Sequence, residues 1–263
     1  MDLELTGNAA LVTASSSGLG KASAMALARE GANVVVNGRD DDRLAAAVAE
    51  IDVDATGRVV AQSGDLTEPD DLRALVETTV DEFGGLDHLV TSAGGPPSGA
   101  FLDIAEEEWY HAYDLLVMSV VRLVHEAAPH LKADGGGTIV TITSRSVKEA
   151  IDSLVLSNAV RMGVIGLEKT LSKELAPEVR ANAVLPGAHE TARIRELVDQ
   201  AVERGEYDSY EEGLAAKGAS NPLGRIGDPM ELGDTVAFLS SPRSGYINGV
   251  ALTIDGGSGS SNL

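Results

Sequence analysis

Short apolar runs alternate with segments of helical spacing along the whole chain. The first run, NAALVTA, leads into the small-residue loop SSSGLG and then into KASAMALAREGA, whose apolar positions recur with a helical period before a glycine stop. The next run is the valine-rich NVVVNGRD, which precedes the helical DDRLAAAVAEID. A strand, a tight turn, a helix and a second strand within about 30 residues predict a βαβ unit.

The same alternation continues to the end of the chain. Further strands are predicted at RVVAQSGDL, LDHLVTSAGG, GTIVTITS, VRANAVLPG and VALTID. Helices are predicted at EPDDLRALVETTVDEFG, VLSNAVRMGVIGLEKTLSKELAP and MELGDTVAFLSS, with one long helix at EEEWYHAYDLLVMSVVRLVHEAAPHLKA. This pattern predicts a Rossmann-like α/β fold of three layers, with a seven-stranded, mostly parallel, doubly wound sheet. We expect residues 1–263 to form a single nucleotide-binding domain.

One polar segment interrupts the alternation. Between about residues 190 and 228 the sequence RIRELVDQAVERGEYDSYEEGLAAKG is polar and helical, and it follows the carboxyl end of a predicted strand. Ligands of open parallel sheets bind at that end of the strands, so the segment is predicted to be a substrate lid.

The loop SSSGLG is the candidate phosphate site. A helix that begins near Gly18 and Gly20 directs free backbone N–H groups and the positive end of its dipole toward one point. Gly18 permits close approach to a pyrophosphate, and Gly20 permits close packing of the helix on the strand. Gly-rich turns without a ligand are also common, but the position in a βαβ unit favours a dinucleotide. The predicted pyrophosphate residues are Ser15, Ser16, Ser17, Gly18, Leu19 and Gly20, with the serines as hydroxyl donors.

The end of the second strand indicates which dinucleotide binds. An acidic residue there would accept a hydrogen bond from the ribose 2′-hydroxyl of NAD. Gly38 and Arg39 occupy the position instead, and a guanidinium can hold a 2′-phosphate through two hydrogen bonds. NADP(H) is therefore favoured over NAD(H). The alternative is that Arg39 forms an ion pair with the adjacent Asp40.

The chain is strongly acidic, with 41 acidic and 20 basic residues and a formal net charge of −21. This charge repels nucleic acid, which is not expected as a partner. Two explanations stay open. One is adaptation of a halophilic organism, because the Debye length of roughly 3 Å at 1 M salt screens self-repulsion, and the scarcity of lysine fits it. The other is an ordinary acidic protein that its charge keeps soluble.

Composition excludes several classes of chemistry. No apolar run approaches the roughly 20 residues of a membrane span, and the start MDLELTGNAALVTA lacks the features of a signal peptide, so we expect a cytoplasmic protein without membrane contact. Zero cysteines exclude disulfides, thiolate nucleophiles and sulfur ligands. No cluster has metal-ligand spacing, and no metal is expected.

Motifs spread along the chain resemble those of one enzyme family. TASSSGLG stands where the family has TGxxxGxG, GDL where an Asp contacts adenine, SAG where it has NAG, NAVLPGAHET where it has NxVxPGxxxT, and YINGVALTIDGG at the closing strand. The chain resembles the short-chain dehydrogenase/reductase family over essentially its whole length, in particular 3-oxoacyl-carrier-protein reductases and sugar or polyol dehydrogenases. The resemblance implies a small-molecule substrate and further cofactor contacts at Asp65, Leu66, Ser92, Ala93, Gly94, Pro186 and Gly187.

The sequence departs from the family at the catalytic positions. The family has a Ser, a Tyr thirteen residues later, a Lys four residues after the Tyr, and an Asn on the preceding long helix. Ser144 keeps the first position. Ser157 stands in place of the Tyr and Arg161 in place of the Lys. Leu116 stands in place of the Asn.

These departures affect proton transfer more than positioning. A serine hydroxyl is a weaker acid than the family's phenol and is shorter by a ring. Arg161 can hydrogen-bond the nicotinamide ribose, but it does not exchange protons at neutral pH. Ser144 is predicted to donate to a developing alkoxide. Lys148 and His189 are candidate proton donors, against the alternatives of a solvated loop charge and a satisfied loop residue.

Three functions are compatible with these residues. The first is an NADP(H)-dependent oxidoreductase that interconverts a carbonyl and a secondary alcohol by hydride transfer, with an atypical proton donor. The second is a catalytically impaired nucleotide-binding homologue that serves as a sensor or scaffold. The third is a non-redox enzyme on the same fold. We favour the first because the cofactor loop and the lid segment are kept; its catalytic residues would be Ser144, Ser157, Arg161 and Lys148.

The resemblance also implies an assembly. The fifth and sixth helices of the family usually pack between subunits, and the last strand makes a second two-fold contact. The stretch DLLVMSVVRLV is apolar enough for such packing. A homotetramer with D₂ symmetry is expected, with a homodimer as the alternative.

Overall fold

A parallel sheet of seven strands forms the centre of the molecule. The computed structural model describes residues 1–133 and 135–262, and describes only the backbone at 193, 196 and 197. The strand order is β3-β2-β1-β4-β5-β6-β7, and all six ladders are parallel, which makes the sheet more regular than the mostly parallel sheet predicted. The strands are β1 (Ala9–Val12), β2 (Asn33–Gly38), β3 (Val59–Ser63), β4 (His88–Thr91), β5 (Gly137–Ile142), β6 (Val179–Pro186) and β7 (Ala251–Ile254).

Helices cover both faces of the sheet. They are α1 (Gly18–Arg29), α2 (Asp41–Ile51), α3 (Pro69–Phe83), α4 (Glu106–Tyr113), α5 (Ser119–Leu131), α6 (Val155–Glu174), α7 (Ala192–Glu203), α8 (Tyr210–Gly218) and α9 (Pro229–Ser240). Helices α1, α2 and α9 pack on one face, and α3, α5 and α6 pack on the other. Successive strand residues point to opposite faces, so Leu11 and Val12 enter different apolar clusters. The predicted three-layer α/β fold is confirmed.

The order in which successive strands are added to the sheet reverses at β1. Strands β2 and β3 lie on one side of β1, and β4 to β7 lie on the other. Such a switch point leaves a crevice outside the carboxyl ends of the central strands, where ligands of this architecture bind. The loops that follow β1, β4, β5 and β6 therefore all lie at the carboxyl ends of the strands.

The long helix predicted before β5 contains a π-helical turn. Helix α4 ends at Tyr113, a π-helical turn spans Asp114–Met118, and α5 begins at Ser119. The hydroxyl of Ser119 donates to the carbonyl of Leu115 at 2.6 Å within this turn. The predicted long helix is confirmed, because the chain is helical without a break from Glu106 to Leu131. The π-helical turn within it was missed because apolar positions recur through the turn and hide its extra residue. Turns of this kind concentrate at functional sites, and this one carries the buried Leu116.

The polar segment after β6 folds into α7 and α8. The hydroxyl of Tyr210 donates to Glu190 Oε1 at 2.9 Å, and Arg195 Nη2 lies 3.1 Å from the same oxygen. These contacts tie the start of α8 to the loop that leads into α7. The role of residues 190–228 as a substrate lid stays a prediction.

Candidate active site

The loop between β1 and α1 has a tight backbone path. Gly18 has a φ of +58°, which glycine adopts without strain. A Cβ at Gly20 would lie 2.4 Å from the carbonyl oxygen of Ala14, so glycine is required for α1 to start this close to β1. Ala14 has a φ of +45°, a left-handed conformation that costs an L residue roughly 1–2 kcal/mol. The surrounding hydrogen bonds hold the loop in this shape.

Asn37 of β2, which the sequence analysis did not select, supplies those bonds. Its Oδ1 accepts from the backbone N–H of Ala14 at 3.1 Å, and its Nδ2 donates to the Gly64 carbonyl at 3.0 Å. The Ser15 hydroxyl donates to the Val12 carbonyl at 2.6 Å and accepts from the Asn37 N–H at 2.8 Å. Ser15 is thus used by the fold, which corrects its prediction as a phosphate donor. The available signal was one polar residue inside the apolar run NVVVNG.

The rest of the loop is arranged for an anion. Ser17 precedes α1, is exposed, and its hydroxyl caps no backbone group of the helix. Ser16 is partly exposed beside it, whereas Leu19 packs against the core. The methyl group of Thr191, which precedes α7, lies 3.6 Å from the Cβ position of Gly18. The N-termini of α1 and α7 therefore both lie at the loop, and their dipoles together favour a bound phosphate.

Arg39 and Asp65 meet at the carboxyl ends of β2 and β3. Arg39 Nη1 lies 3.5 Å from Asp65 Oδ2, and the Arg39 side chain is 78% exposed. Asp65 Oδ1 accepts from the N–H and the hydroxyl of Thr67, and the backbone bond is the main cause that lowers the pKa of Asp65. The proposed pairing of Arg39 with Asp40 is corrected: Asp40 caps α2 by accepting from the Arg43 N–H at 2.9 Å.

Thr13 joins the ends of β1 and β4. Its hydroxyl donates to the Ser92 carbonyl at 2.7 Å and accepts from the Ser92 N–H at 2.9 Å. These two hydrogen bonds fix the position of Ser92, where the segment to the half-buried Ala93 and the exposed Gly94 begins. The Leu66 side chain is buried in the core, so only its backbone is available to a ligand. This side of the crevice is formed mainly by backbone groups held in place.

Three serines lie in series from the end of β5 to the first turn of α6. The Ser144 Oγ accepts from the backbone N–H of Ser146 at 3.1 Å. The Ser146 Oγ lies 3.0 Å from the Ser157 Oγ. Ser146 and Ser157 are buried and Ser144 is partly exposed. Ser144 and Ser157 are therefore linked through Ser146, a residue that the sequence analysis missed although it lies two positions from Ser144.

Arg161 is a buried cation on α6. It is 7% exposed, and its Nε has no hydrogen-bond partner among the residues that the structure describes. Burial lowers its pKa to about 10, so it is charged at neutral pH. A buried charge without a partner is costly, which indicates that a ligand group or water completes the site.

A small cavity adjoins this guanidinium, and we name it the Arg161 cavity. Its volume is about 10 Å³, enough for one water molecule. Leu116 of the π-helical turn forms part of the apolar wall. Hydroxyl-bearing residues form much of the remainder: Thr91, Ser92, Ser119, Thr141 and Thr143. The predicted residues Ser92, Leu116 and Arg161 therefore lie around one space at the carboxyl ends of β4 and β5.

Lys148 lies in the loop after Ser144 and has no contact among the described residues that indicates a function. Lys148 is exposed, and within residues 1–133 and 135–262 it forms no ion pair or side-chain hydrogen bond. Its neighbours Arg145 and Glu149 form an ion pair at 3.2 Å, and Glu149 also accepts from Ser260. Serine hydrogen bonds lower the pKa of Glu149. A catalytic role for Lys148 stays a prediction.

His189 lies in the loop after β6 and lines a different cavity from that of Arg161. Pro186 pairs with the last strand, and a Cβ at Gly187 would lie 2.5 Å from Asp255 Cβ, so the loop runs close against β7. His189 Nδ1 lies 3.2 Å from the Gly187 carbonyl oxygen, and burial lowers the pKa of His189. Its ring lines a separate cavity of about 260 Å³ with Arg225, Glu231 and Asp255. This position supports the alternative of a satisfied loop residue.

The described residues include neither a metal-binding cluster nor a membrane-spanning helix. No group of three or more His, Asp or Glu side chains is placed to hold a metal ion in the part of the chain with described side chains. No described helix combines the length and the apolar character needed to cross a membrane.

Comparison with known proteins identifies relatives over nearly the whole chain. A family model described as enoyl-(acyl carrier protein) reductase matches residues 13–259. The chain is 30% identical over 256 residues to the 3-oxoacyl-[acyl-carrier-protein] reductase FabG of Thermotoga maritima, a match that covers 97% of this chain and 99% of that protein.

Solved structures give the same result. L-sorbose reductase from Gluconobacter frateurii, complexed with NADPH and L-sorbose, has a TM-score of 0.93 and 30% identity over 99% of this chain and 100% of that one. A 7α-hydroxysteroid dehydrogenase complexed with NADH has a TM-score of 0.84 and 28% identity over 97% and 96% of the two chains. Together with the sheet order and the glycine loop, these matches show that the chain belongs to the short-chain dehydrogenase/reductase family.

Proposed function

We propose that this protein is an NADP(H)-dependent oxidoreductase that interconverts a carbonyl and a secondary alcohol, with a proton donor other than the tyrosine of its family. The observation that carries the proposal is Arg161, a buried guanidinium whose Nε lacks a partner in the described structure. Such a group costs stability unless a ligand completes its hydrogen bonds. The hydroxyls of a nicotinamide ribose fit this requirement, because they are neutral groups that accept hydrogen bonds.

The residues present fit the rest of the dinucleotide. The N-termini of α1 and α7 would hold the pyrophosphate, with Ser16 and Ser17 adjacent. Asp65 would contact the adenine end, and the backbone from Ser92 to Gly94 would lie along the nucleotide. When bound, the dinucleotide supplies or accepts the hydride.

The protein's own residues act on the substrate oxygen. The partly exposed Ser144 hydroxyl, whose Oγ already accepts from the Ser146 N–H, is free to donate its proton to a carbonyl oxygen. A hydrogen bond there stabilises negative charge that develops as the hydride arrives. Ser157 is bonded to Ser146, so its contribution is to hold that neighbour in place. The positive charge of Arg161 favours the same developing charge from the ribose side.

NADP(H) is preferred because of Arg39. Its side chain is 78% exposed and only loosely paired with Asp65 at 3.5 Å, so it can turn to a 2′-phosphate. Replacement of Arg39 by leucine is expected to weaken NADPH binding by about 10- to 100-fold, the effect of losing one charged hydrogen-bonded contact, and to leave NADH binding within about twofold. Titration calorimetry with both nucleotides measures this.

A matched control is Arg58→Leu. Arg58 is also an exposed arginine paired with a carboxylate, Glu82, but it precedes β3 and so lies at the amino ends of the strands, away from Arg39 at their carboxyl ends. This variant should bind NADPH as the parent does. Equal losses for NADPH and NADH in Arg39→Leu would contradict the assignment of the 2′-phosphate.

The activity itself is tested with NADPH and a panel of carbonyl compounds. Relatives in the family reduce L-sorbose or 3-oxoacyl groups according to their names, so ketoses and 3-oxoacyl thioesters are the first compounds to include. NADPH oxidation with stoichiometric alcohol formation supports the proposal. Tight NADPH binding with no oxidation by any carbonyl would instead favour a nucleotide-binding protein without dehydrogenase chemistry.

We also propose a homotetramer. Large apolar or aromatic side chains are exposed on α4, α6 and beside β7, and these are the surfaces that the family resemblance assigns to subunit contacts. The residues are Tyr110, Tyr113, Met162, Tyr246 and Leu252. Burial of such side chains between subunits would remove apolar area from water.

A further inference from the structure

Helix α6 carries a buried acid that the proposed chemistry does not use. Glu168 is 3% exposed, on the same face as Ser157, Arg161 and Val164. The spacing i, i+4, i+7, i+11 places these side chains on one stripe of the helix. Acidic side chains are almost never fully buried unless another group satisfies them. The surroundings of Glu168 therefore need a specific explanation.

Its neighbours are two threonine hydroxyls in series. Thr141 of β5 donates a short hydrogen bond to Glu168 Oε1, and Thr91 of β4 donates to Thr141 at 2.8 Å. Glu168 Oε2 has no hydrogen-bond partner in the described part of the chain. Burial raises the pKa of Glu168 to about 8, against the smaller lowering effect of the Thr141 bond. At neutral pH the side chain is thus a carboxylic acid that still carries its proton.

The same threonines line the Arg161 cavity. Thr91 and Thr141 form part of its wall, and its volume of about 10 Å³ holds one water molecule. That water would have the Thr141 hydroxyl on one side and the Arg161 guanidinium on the other, which provides the polar partners that a buried water requires. A continuous polar route then runs from Glu168 through Thr141 to Arg161.

We propose that Glu168 is the proton reservoir of the reductase site, connected to the nicotinamide end of the cleft through Thr141 and one water in the Arg161 cavity. The proposal rests on the proposed function. In the direction of reduction, the hydride forms a C–H bond at the carbonyl carbon, the π pair moves to oxygen, and that oxygen takes a proton from the nearest hydroxyl.

Each hydroxyl of the route gives one proton and accepts one, so the net loss falls on Glu168. Its carboxyl group becomes a carboxylate and regains a proton from solvent after the product leaves. Arg161 keeps its protons throughout and supplies a fixed positive charge beside the route. Glu168 acts through other groups and is a positioning and proton-storing residue rather than one that touches substrate.

Other charged groups on the elements around this face of α6 are engaged elsewhere. On α6 itself Lys169 donates to the Gly249 carbonyl. The pairs and acceptors of the rest are Asp114 with Arg122, Arg145 with Glu149, Glu108 with the Ala105 N–H, and Arg180 with the carbonyls of Leu239, Ser241 and Ile247. Burial and Thr141 therefore control the ionisation of Glu168.

The test compares Glu168→Gln with Glu174→Gln, a change at an exposed acid on the same helix. For a carbonyl that the parent reduces, kcat should fall as pH rises through about 8, because reduction requires the protonated acid. Glu168→Gln should lower kcat by about 100-fold at neutral pH, leave KM for NADPH unchanged, and remove that pH dependence. Glu174→Gln should match the parent in all three.

Infrared difference spectra provide a readout that does not need turnover. The parent should show a protonated-carboxyl band at neutral pH that Glu168→Gln lacks and that shifts when NADPH is added. A Glu168→Gln enzyme with the parental pH profile, or a carboxyl band that does not respond to NADPH, would overturn the proposal. If no carbonyl is reduced by the parent, the proposed function fails, and the NADPH response of the band still decides whether Glu168 is coupled to the nucleotide site.

Discussion

Replacement of Gly20 by alanine is expected to destabilise the fold and abolish NADPH binding together. The added Cβ would lie 2.4 Å from the Ala14 carbonyl oxygen, 3.0 Å from its carbon and 3.1 Å from Ser15 Cα, all of them backbone atoms that cannot rotate away. Displacement of a loop held by Asn37 should cost about 3 kcal/mol or more, a large part of the stability of a typical domain. Urea unfolding and NADPH calorimetry measure the two effects.

Gly85→Ala is the control for the added methyl group. Gly85 has no heavy atom within 4 Å of its Cβ position and does not have a left-handed backbone, so this variant should match the parent in stability and NADPH affinity. A Gly20→Ala protein that keeps the parental midpoint of unfolding would show that α1 does not pack on β1 as closely as described.

Replacement of Arg161 by methionine is expected to change stability and activity in opposite directions. The fall in the pKa of Arg161 from 12.5 to about 10 corresponds to roughly 3 kcal/mol of disfavoured charge, so an apolar side chain of similar length should raise the free energy of unfolding of the nucleotide-free protein. Loss of a charged hydrogen-bonding partner for the ribose should lower kcat/KM by about 10- to 100-fold. Thermal unfolding without ligand and steady-state kinetics measure these effects.

Arg161→Lys distinguishes charge from shape. Lysine keeps the cation and a hydrogen-bond donor at this position, so kcat/KM should stay well above that of Arg161→Met, while the nucleotide-free protein gains little stability. A methionine variant that is less stable than the parent without nucleotide would mean that the guanidinium is already satisfied within the protein, and the main support for the proposed function would be lost.

The fold could be predicted from the sequence because its five inner strands are buried on both faces. The second strand, NVVVNG, is then a nearly continuous apolar run. The helices that pack on the sheet, such as α3 and α5, have an apolar stripe. The π-helical turn at Asp114–Met118 was not readable, because one additional residue in a turn leaves the apolar pattern almost unchanged.

The candidate site was readable only where one residue type has one evident use. Gly18 and Gly20 are of this kind. Asn37 and Ser146 were missed because their roles depend on contacts that the sequence does not show: Asn37 bonds the loops after β1 and β3, and Ser146 contacts both Ser144 and Ser157.

The contact between Thr191 and Gly18 has a consequence for the order of events in each turnover. If a diphosphate binds at the start of α1 as proposed, it would also lie beside the start of α7 and would restrain the segment that follows. Nucleotide and substrate would then associate in a compulsory sequence, with the nucleotide first to arrive and last to depart. In steady state, dissociation of the oxidised nucleotide rather than the chemical step would then be rate-limiting.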